Sequence, residues 1–414
     1  MSQPFPVPGA FPPPQLVQDP YPFYRMLRGS QPVFRVPVGD AGSPGVWILT
    51  RHRDVQLVLR DARCSVMRQR AKIVEQFGDQ LPIRAAVGEG GGLRSMLVMD
   101  PPDHTRVRGL VNKAFTPRRV AALRRRIEAI VATLLDDVGE TWDLIDALAA
   151  PLPAIVIAEL LGVPAADHRR FKEWSSALVT AIGAGNPVAA RAQFETALDA
   201  LLAYLREVIA ARRAEGTAGR DDLICAMIDA QEERDALTDA ELLATSNLLL
   251  LAGHETTTNL IGNGTLALLR RADELERLRA DRSLLRSAIE ELLRFDSPVQ
   301  ATARVPLEDV ALDGATLPAG ALVFTGIGAA NRDPEVFAEP DRVDLGRAQN
   351  PHLSFGFGAH FCLGAPLARL EAEVAFGALL DRFPKLALAS DEPLAYRPNF
   401  VLRGLTRLPV RSAP

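Results

Sequence analysis

The sequence predicts a mainly α-helical protein with a small β-rich portion, and three observations carry that expectation. Helical periods rich in Ala, Leu and Arg dominate the chain up to about residue 295. From 305 to 330 the pattern turns to short apolar runs split by Asp313-Gly314 and Pro318-Ala319-Gly320, which read as strands and turns. A glycine-punctuated stretch, Ser354 to Glu371 (SFGFGAHFCLGAPLARLE), then runs into a helix of strong formers.

The composition fits one large folded unit. The chain has 414 residues, is 48% apolar and carries a formal net charge of −4. That allows a sizeable buried core and is unlike a disordered chain. No stretch is long or polar enough to act as a linker. Residues 1–414 are therefore expected to form a single domain with a proline-rich arm at 1–20. The weak negative charge gives no support to nucleic-acid binding. Three scattered cysteines, Cys64, Cys225 and Cys362, argue against a disulfide framework and suit a reducing compartment. The start, MSQPFPVPGAFPPP, lacks the basic residues and apolar core of a signal peptide. The most apolar run, Ala147 to Ala158, is broken by Pro151 and Pro153, so no membrane span is expected. The protein reads as soluble and cytoplasmic.

After the arm, a short helix is expected from Pro20 to Arg28. Two strands follow, Val33 to Val38 and Val46 to Thr50, around a turn holding Gly39, Gly42 and Gly45. A helix spans Arg53 to Arg60. Charges, Gly78, Pro82 and Gly88-x-Gly90-Gly91-Gly92 make residues 64–98 a loop with one short helix. Pro101-Pro102 turns the chain, and Asp103-His104 starts a helix that runs past Ala114. His104 and Arg108 lie four apart and share a face, which suits a carboxylate, although a solvated helix start has the same spacing. Helical periods continue through 117–138, 142–161, 166–183 and 190–213, with Gly183 to Pro187 between the last two.

Thr238 to Leu269 is the most informative helix. Thr238 and Glu241 make a capping box, and the apolar run Leu248 to Leu251 implies burial all round. Gly253, Glu255, Thr256 and Thr257 then go against ordinary core logic. Glycine weakens a helix, threonine can bond back to an earlier carbonyl, and a buried Glu needs a partner or a task. On the next helix, Ser287 to Phe295, Glu291 and Arg294 are three apart and can pair. Pro298 to Arg304 leads into a strand. Residues 331–353 are irregular, a helix follows at 363–382, and short strands at Ala387 to Ala389, Phe400 to Leu402 and Leu408 to Arg411 end the chain.

The cysteine stretch places Cys362 near a helix N-terminus, where free amides and the helix dipole favour a thiolate. Such a sulfur can be a nucleophile, a redox thiol or a metal ligand. No second cysteine lies within range for zinc or an iron–sulfur cluster. Gly356-x-Gly358-x-x-Phe361 lacks the third glycine of a dinucleotide fingerprint. Gly356, Gly358 and Gly364 suit a loop that something flat and large approaches closely. One ligand that needs a single thiolate is haem iron.

Phe355-Gly356-x-Gly358-x-His360-x-Cys362-x-Gly364 closely resembles the haem-binding loop of the cytochrome P450 superfamily. Ala252-Gly253-x-Glu255-Thr256 resembles its oxygen-activating motif, and Glu291-x-x-Arg294 its buried structural pair. Residues 331–353 fit its irregular meander, with Val343 where the family often has Phe. The resemblance spans nearly the whole chain and implies the cytochrome P450 fold. Haem b would lie between the helix bearing Glu255 and Thr256 and the loop bearing Cys362.

Cys362 would be the iron ligand, with Phe355, Gly356, His360, Gly364 and Ala252 around the cofactor. His104, Arg108 and Arg304 would hold propionates. Glu255 and Thr256 would form the proton relay, and Arg332 would supply the third partner of Glu291 and Arg294. Leu249, Ala252, Val299, Ala301, Phe400 and Val401 would line the substrate pocket. The implied activity is monooxygenation of a hydrophobic small molecule with O2, such as a polyketide, terpenoid, steroid or fatty-acid-like compound. Electrons would come from a ferredoxin and its NAD(P)H-dependent reductase, docking on a face that includes Arg118, Arg119 and Arg347. The protein would be a monomer. A peroxide-driven peroxygenase and a non-enzymatic haem-thiolate gas sensor are the alternatives.

Overall fold

The computed structural model describes residues 14–36, 44–77, 94–167, 170, 173–174, 177–178, 187–231 and 237–412. The glycine run at 88–92, the connector before Pro187 and most of the expected helix 166–183 lie outside them. Of the expected N-terminal arm, the described part is a helix, Pro14–Gln18, pinned by the Arg403 guanidinium, which donates to the carbonyls of Val17 and Gln18.

A helix of 31 residues, Asp239–Leu269, runs through the middle of the protein. Its start is fixed by the capping box: the Glu241 N–H donates to Thr238 Oγ1 at 3.2 Å and the Thr238 N–H to Glu241 Oε2 at 2.9 Å. Both Leu249 and Leu250 are buried, as is nearly every residue from His254 to Leu268. The flanking helices Pro151–Leu161, Pro187–Glu215, Leu285–Phe295 and Ala365–Arg382 pack on it and bury its faces. Gly253 lets the first of these come close, since a Cβ there would lie 3.0 Å from Ile157 Cγ1.

The β-rich portion joins distant parts of the chain. β1 (Val33–Val36), β2 (Val46–Leu49), β3 (Cys64–Ser65), β5 (Ala301–Pro306) and β8 (Leu322–Gly326) form a sheet in the order β1-β2-β8-β5-β3. Arg304 on β5 pairs with Val323 on β8, and β3 crosses the end of β5 at Val305 and Pro306. A smaller sheet runs β4 (Thr141–Asp143), β10 (Pro409–Ser412), β9 (Leu386–Leu388). The expected turn at Asp313-Gly314 joins β6 (Val310–Leu312) to β7 (Ala315–Leu317).

Some expected boundaries move. The helix expected over 142–161 is a strand, a π-helical turn at Ile145–Ala149 and then Pro151–Leu161. Thr141–Asp143 is claimed by β10, and Asp143 Oδ1 accepts the N–H groups of Ile145 and Leu408. Pro151 suits a first helical turn, so the helix restarts there. The strand expected at Phe400 to Leu402 is a single bridge, Val299 to Leu402. Among the described residues, no helix is long and apolar enough to cross a membrane.

Candidate active site

A cavity of about 320 Å³ lies between the long helix and the cysteine loop. Gly356 and Gly358 have φ of 72° and 75°, which explains both residue types. At Gly358 a Cβ would also meet Arg60 Cα at 3.0 Å and the Leu59 carbonyl oxygen at 3.1 Å. The Cys362 N–H donates to the Phe355 carbonyl at 2.8 Å, closing the loop, and the helix Ala365–Arg382 begins three residues on. Cys362 lines the cavity, and its exposed surface lies on that wall. Cys64 and Cys225 are buried and line no part of it.

The sequence predicts a lowered thiol pKa, and the structure corrects this. Burial pushes the Cys362 thiol up and outweighs the amides of Gly364 and Ala365 and the charges of Arg108 and Arg369, which pull it down. The helix start thus favours the thiolate locally without outweighing burial on its own.

Three sets of contacts hold the loop. Arg369 forks onto Glu290 with two 2.7 Å hydrogen bonds and stacks 4.4 Å over the Phe355 ring. Ser354 Oγ donates to the Leu293 carbonyl at 2.8 Å and accepts from Asn331 Nδ2 at 2.9 Å. Glu291 and Arg294 pair at 2.7 and 2.8 Å with neither side chain exposed. The second guanidinium on Glu291 is Arg347, at 3.0 Å, where Arg332 was expected. Arg332 instead donates to the Phe295 carbonyl and to Asp341. Arg347, only 10% exposed, therefore belongs to this network rather than to a docking face.

Polar groups gather at another part of the wall. His104, Arg108, Arg304 and His360 all line the cavity, as does Arg68, which the sequence reading missed. The His104 and His360 rings lie 4.0 Å apart. Neither ring nitrogen of His104 has a hydrogen-bond partner among the described residues, although the side chain is buried. Burial and neighbouring positive charges hold His360 neutral, its pKa pushed down to about 3. Arg108 donates to the Phe361 carbonyl, and Arg304 to the Ala303 carbonyl at 2.9 Å. Neither has a carboxylate within ion-pair distance among the described residues.

On the long helix, Ala252, Gly253, Thr256 and Thr257 face the cavity. Thr256 Oγ1 donates to the Ala252 carbonyl at 3.1 Å, the back-bond expected of it. Glu255 is buried but does not line the cavity; Arg397 donates to its carboxylate and His254 Nε2 lies 3.8 Å away. The structure thus places the two relay candidates on different sides of the helix.

Comparison with known proteins decides what this site belongs to. A family profile described as Cytochrome P450 matches residues 171–407. Cytochrome P450 107B1 of Saccharopolyspora erythraea is 45% identical over 399 residues, covering 95% of each chain. The vitamin D(3) 25-hydroxylase of Pseudonocardia autotrophica is 43% identical over 401 residues, covering 96% of this chain and 94% of its own. The crystal structure of a myxobacterial cytochrome P450, CYP267B1, in complex with myristic acid superimposes with a TM-score of 0.86 at 38% identity, covering 97% of this chain and 98% of that one. The chain belongs to the cytochrome P450 family.

A P450 is a haem protein, and this one is an oxidoreductase of the monooxygenase class. Its cavity fits that cofactor. A single cysteine in the cavity wall suits an iron ligand, and no cluster of other metal-binding side chains exists among the described residues. His104, without a hydrogen-bond partner among the described residues, and the guanidinium groups of Arg108 and Arg304, without an acid partner among them, suit carboxylates such as propionates.

Half of the P450's expected pocket residues are in place. Leu249, Ala252 and Val299 line the cavity, whereas Ala301, Phe400 and Val401 do not. Strand parity corrects Ala301: if Arg304 on β5 faces the cavity, Thr302 faces it too and Ala301 points away. Phe400 packs edge-on against Phe324 at 5.6 Å, and the Val401 carbonyl accepts the Gln300 N–H at 2.7 Å. Val66, Arg68 and Leu97 complete the wall from the 64–98 segment, which the sequence marks as a loop without singling out these residues.

Proposed function

We propose that this P450 carries haem b and oxidises a medium to large apolar molecule with electrons from a ferredoxin and its NAD(P)H-dependent reductase. Cys362 is the iron ligand, and His104, Arg108, Arg304 and His360 receive the propionates. When bound, the haem supplies oxygen activation, with one oxygen atom going to substrate and the other to water. The observation that carries the reading is one cavity lined by a lone cysteine, by Thr256 and by a group of donors lacking acids.

The protein's own part is positional. Leu249, Val299, Val66 and Leu97 give an apolar surface that keeps water out and selects an apolar substrate. One relative is named for hydroxylating vitamin D(3), and one structural neighbour holds myristic acid. Both support a steroid-like or fatty-acid-like substrate, with terpenoids and polyketides of similar size in the same class. Thr256 Oγ1 stands at the cavity surface and can pass a proton inward once its bond to the Ala252 carbonyl turns. Glu255 is the buried acid next to it, and the half-exposed Arg397 connects that acid to solvent.

The test is spectroscopic. The reduced protein under carbon monoxide should show the strongly red-shifted Soret band of thiolate ligation, and Cys362→Ser should abolish it. A purified haem-loaded protein without that band, or a serine variant that keeps it, would overturn the assignment. Turnover driven by the ferredoxin system should also exceed turnover driven by peroxide alone.

A further inference from the structure

Three successive turns of the long helix meet one bend of the C-terminal segment. Glu255, Asn259 and Asn263 are four apart and share a helix face. Arg397 donates to the Glu255 carboxylate, and Asn263 Nδ2 donates to the Arg403 carbonyl at 3.0 Å. Between these two links the Asn259 amide lies against Gly404. A Cβ on that glycine would stand 1.7 Å from Asn259 Oδ1 and 2.3 Å from its Cγ. The bend is closed by an antiparallel bridge from Tyr396 to Leu405 and by the Arg397 N–H, which donates to the Gly404 carbonyl at 2.9 Å. On its far side the Arg403 guanidinium is held by Asp296 at 2.7 Å. Gly404 is buried and does not use a positive φ, so space rather than backbone angle calls for a glycine.

The outer two links are hydrogen bonds, which tolerate a few tenths of an ångström. The middle one is a steric contact, whose repulsion rises steeply. Asn259 is buried on a helix, where few rotamers are open to it, so its amide has little room to withdraw. The contact therefore sets how closely the bend sits on the helix, and the bond from the Arg397 N–H to Gly404 carries that height to the guanidinium. We propose that Asn259 and Gly404 form a spacer that holds Arg397 on Glu255, which makes both of them positioning residues for the proton relay. The inference rests on the relay reading of Glu255 and Arg397 above.

The experiment compares haem-loaded wild type with Gly404→Ala, Arg397→Ala, and Gly404→Ala combined with either Arg397→Ala or Asn259→Ala. Crystal structures give the position of the Arg397 guanidinium. NAD(P)H consumption with a ferredoxin system and myristic acid, followed in H2O and D2O, gives the rate and its solvent isotope effect. In Gly404→Ala the guanidinium should leave Glu255, the rate should fall a few-fold and the isotope effect should grow, as in Arg397→Ala. Adding Arg397→Ala should change little further, because both substitutions break one link. Removing the amide with Asn259→Ala should make room for the new Cβ and return all three readouts towards wild type. If Gly404→Ala does not purify with haem, Asn259→Gln presses on the same contact from the helix side and should move the same readouts. A Gly404→Ala protein that loses thermal stability yet keeps Arg397 on Glu255 and the wild-type isotope effect would overturn the spacer and leave the relay standing. Effects that add in full to those of Arg397→Ala would count against it equally. An Arg397→Ala protein with the wild-type isotope effect would overturn the relay itself, and the spacer's part in it.

Discussion

Two interior glutamates are each paired with an arginine, and they are held in opposite ways. Glu291 takes the fork of Arg294, the Arg347 Nε at 3.0 Å, Asn350 at 3.2 Å and the Asp344 N–H at 2.9 Å. Its main partner, Arg294, also donates to the carbonyls of Asn331, Pro340 and Arg342. Glu255 has one guanidinium, Arg397, from 142 residues away, and that side chain is 31% exposed. A carboxylate whose lone pairs are all engaged has nothing to exchange, so the first site can only hold structure. Glu255, with a single arginine among the described residues and that arginine partly open to solvent, is the less fully coordinated of the two, which is what the proposed relay asks of it. Coordination, more than burial, separates the anchor from the proposed relay.

The contrast breaks most visibly at Arg294. Arg294→Ala leaves Glu291 with only Arg347 as a charge partner and strips a donor from three carbonyls beneath the cysteine loop. The expected cost is about 3–5 kcal/mol, enough to leave little haem-loaded protein. Thermal unfolding and the yield of holoprotein measure it, and near-wild-type stability would show that the network is replaceable.

Thr256→Ala should instead spare stability and fall on chemistry. With no hydroxyl at the cavity surface, product formed per electron consumed should drop about tenfold or more, with excess peroxide or water made in its place. Unchanged coupling would remove Thr256 from the relay. Arg397→Ala is the finer test. It should slow turnover a few-fold and enlarge the solvent isotope effect, with Arg397→Lys recovering part of the rate. A loss of stability as large as that of Arg294→Ala would erase the distinction between the two acids.

The parts of this design that the sequence shows are those carried by local pattern. Cys362, its glycines and the long helix are legible because backbone angle, helix start and apolar period leave marks within ten to thirty residues. Glu291 with Arg294 is legible for the same reason, since both lie on one helix face. Arg347 and Arg397 are not legible as partners, because each reaches its site through a tertiary approach with no fixed spacing. The error at Ala301 is different in kind. Parity on β5 was available in the sequence once Arg304 was placed, and Thr302 followed from it. The split of 142–161 depended on a partner strand more than 260 residues away, which no local period reports.

The smallest expected effect lies at a third acid, Glu290, which is intermediate between the other two. Burial pushes its pKa up, but the Arg369 fork and His352 at 3.0 Å pull it down further, to about 2. In the unfolded chain a Glu titrates near 4.3. The folded value is the lower one, so the stabilisation is fully present above about pH 5 and is lost as pH falls towards 2. Arg369 is 37% exposed, and solvent screening reduces the contribution to about 1 kcal/mol. Glu290→Gln should therefore lower stability at pH 7 by about that amount, with the gap to wild type closing as unfolding is followed down to pH 3. A gap that stays constant with pH would mean that Glu290 braces the cysteine loop by shape and neutral hydrogen bonds alone. Its charge would then play no part, and the loop's hold on Cys362 would be indifferent to acid down to that pH.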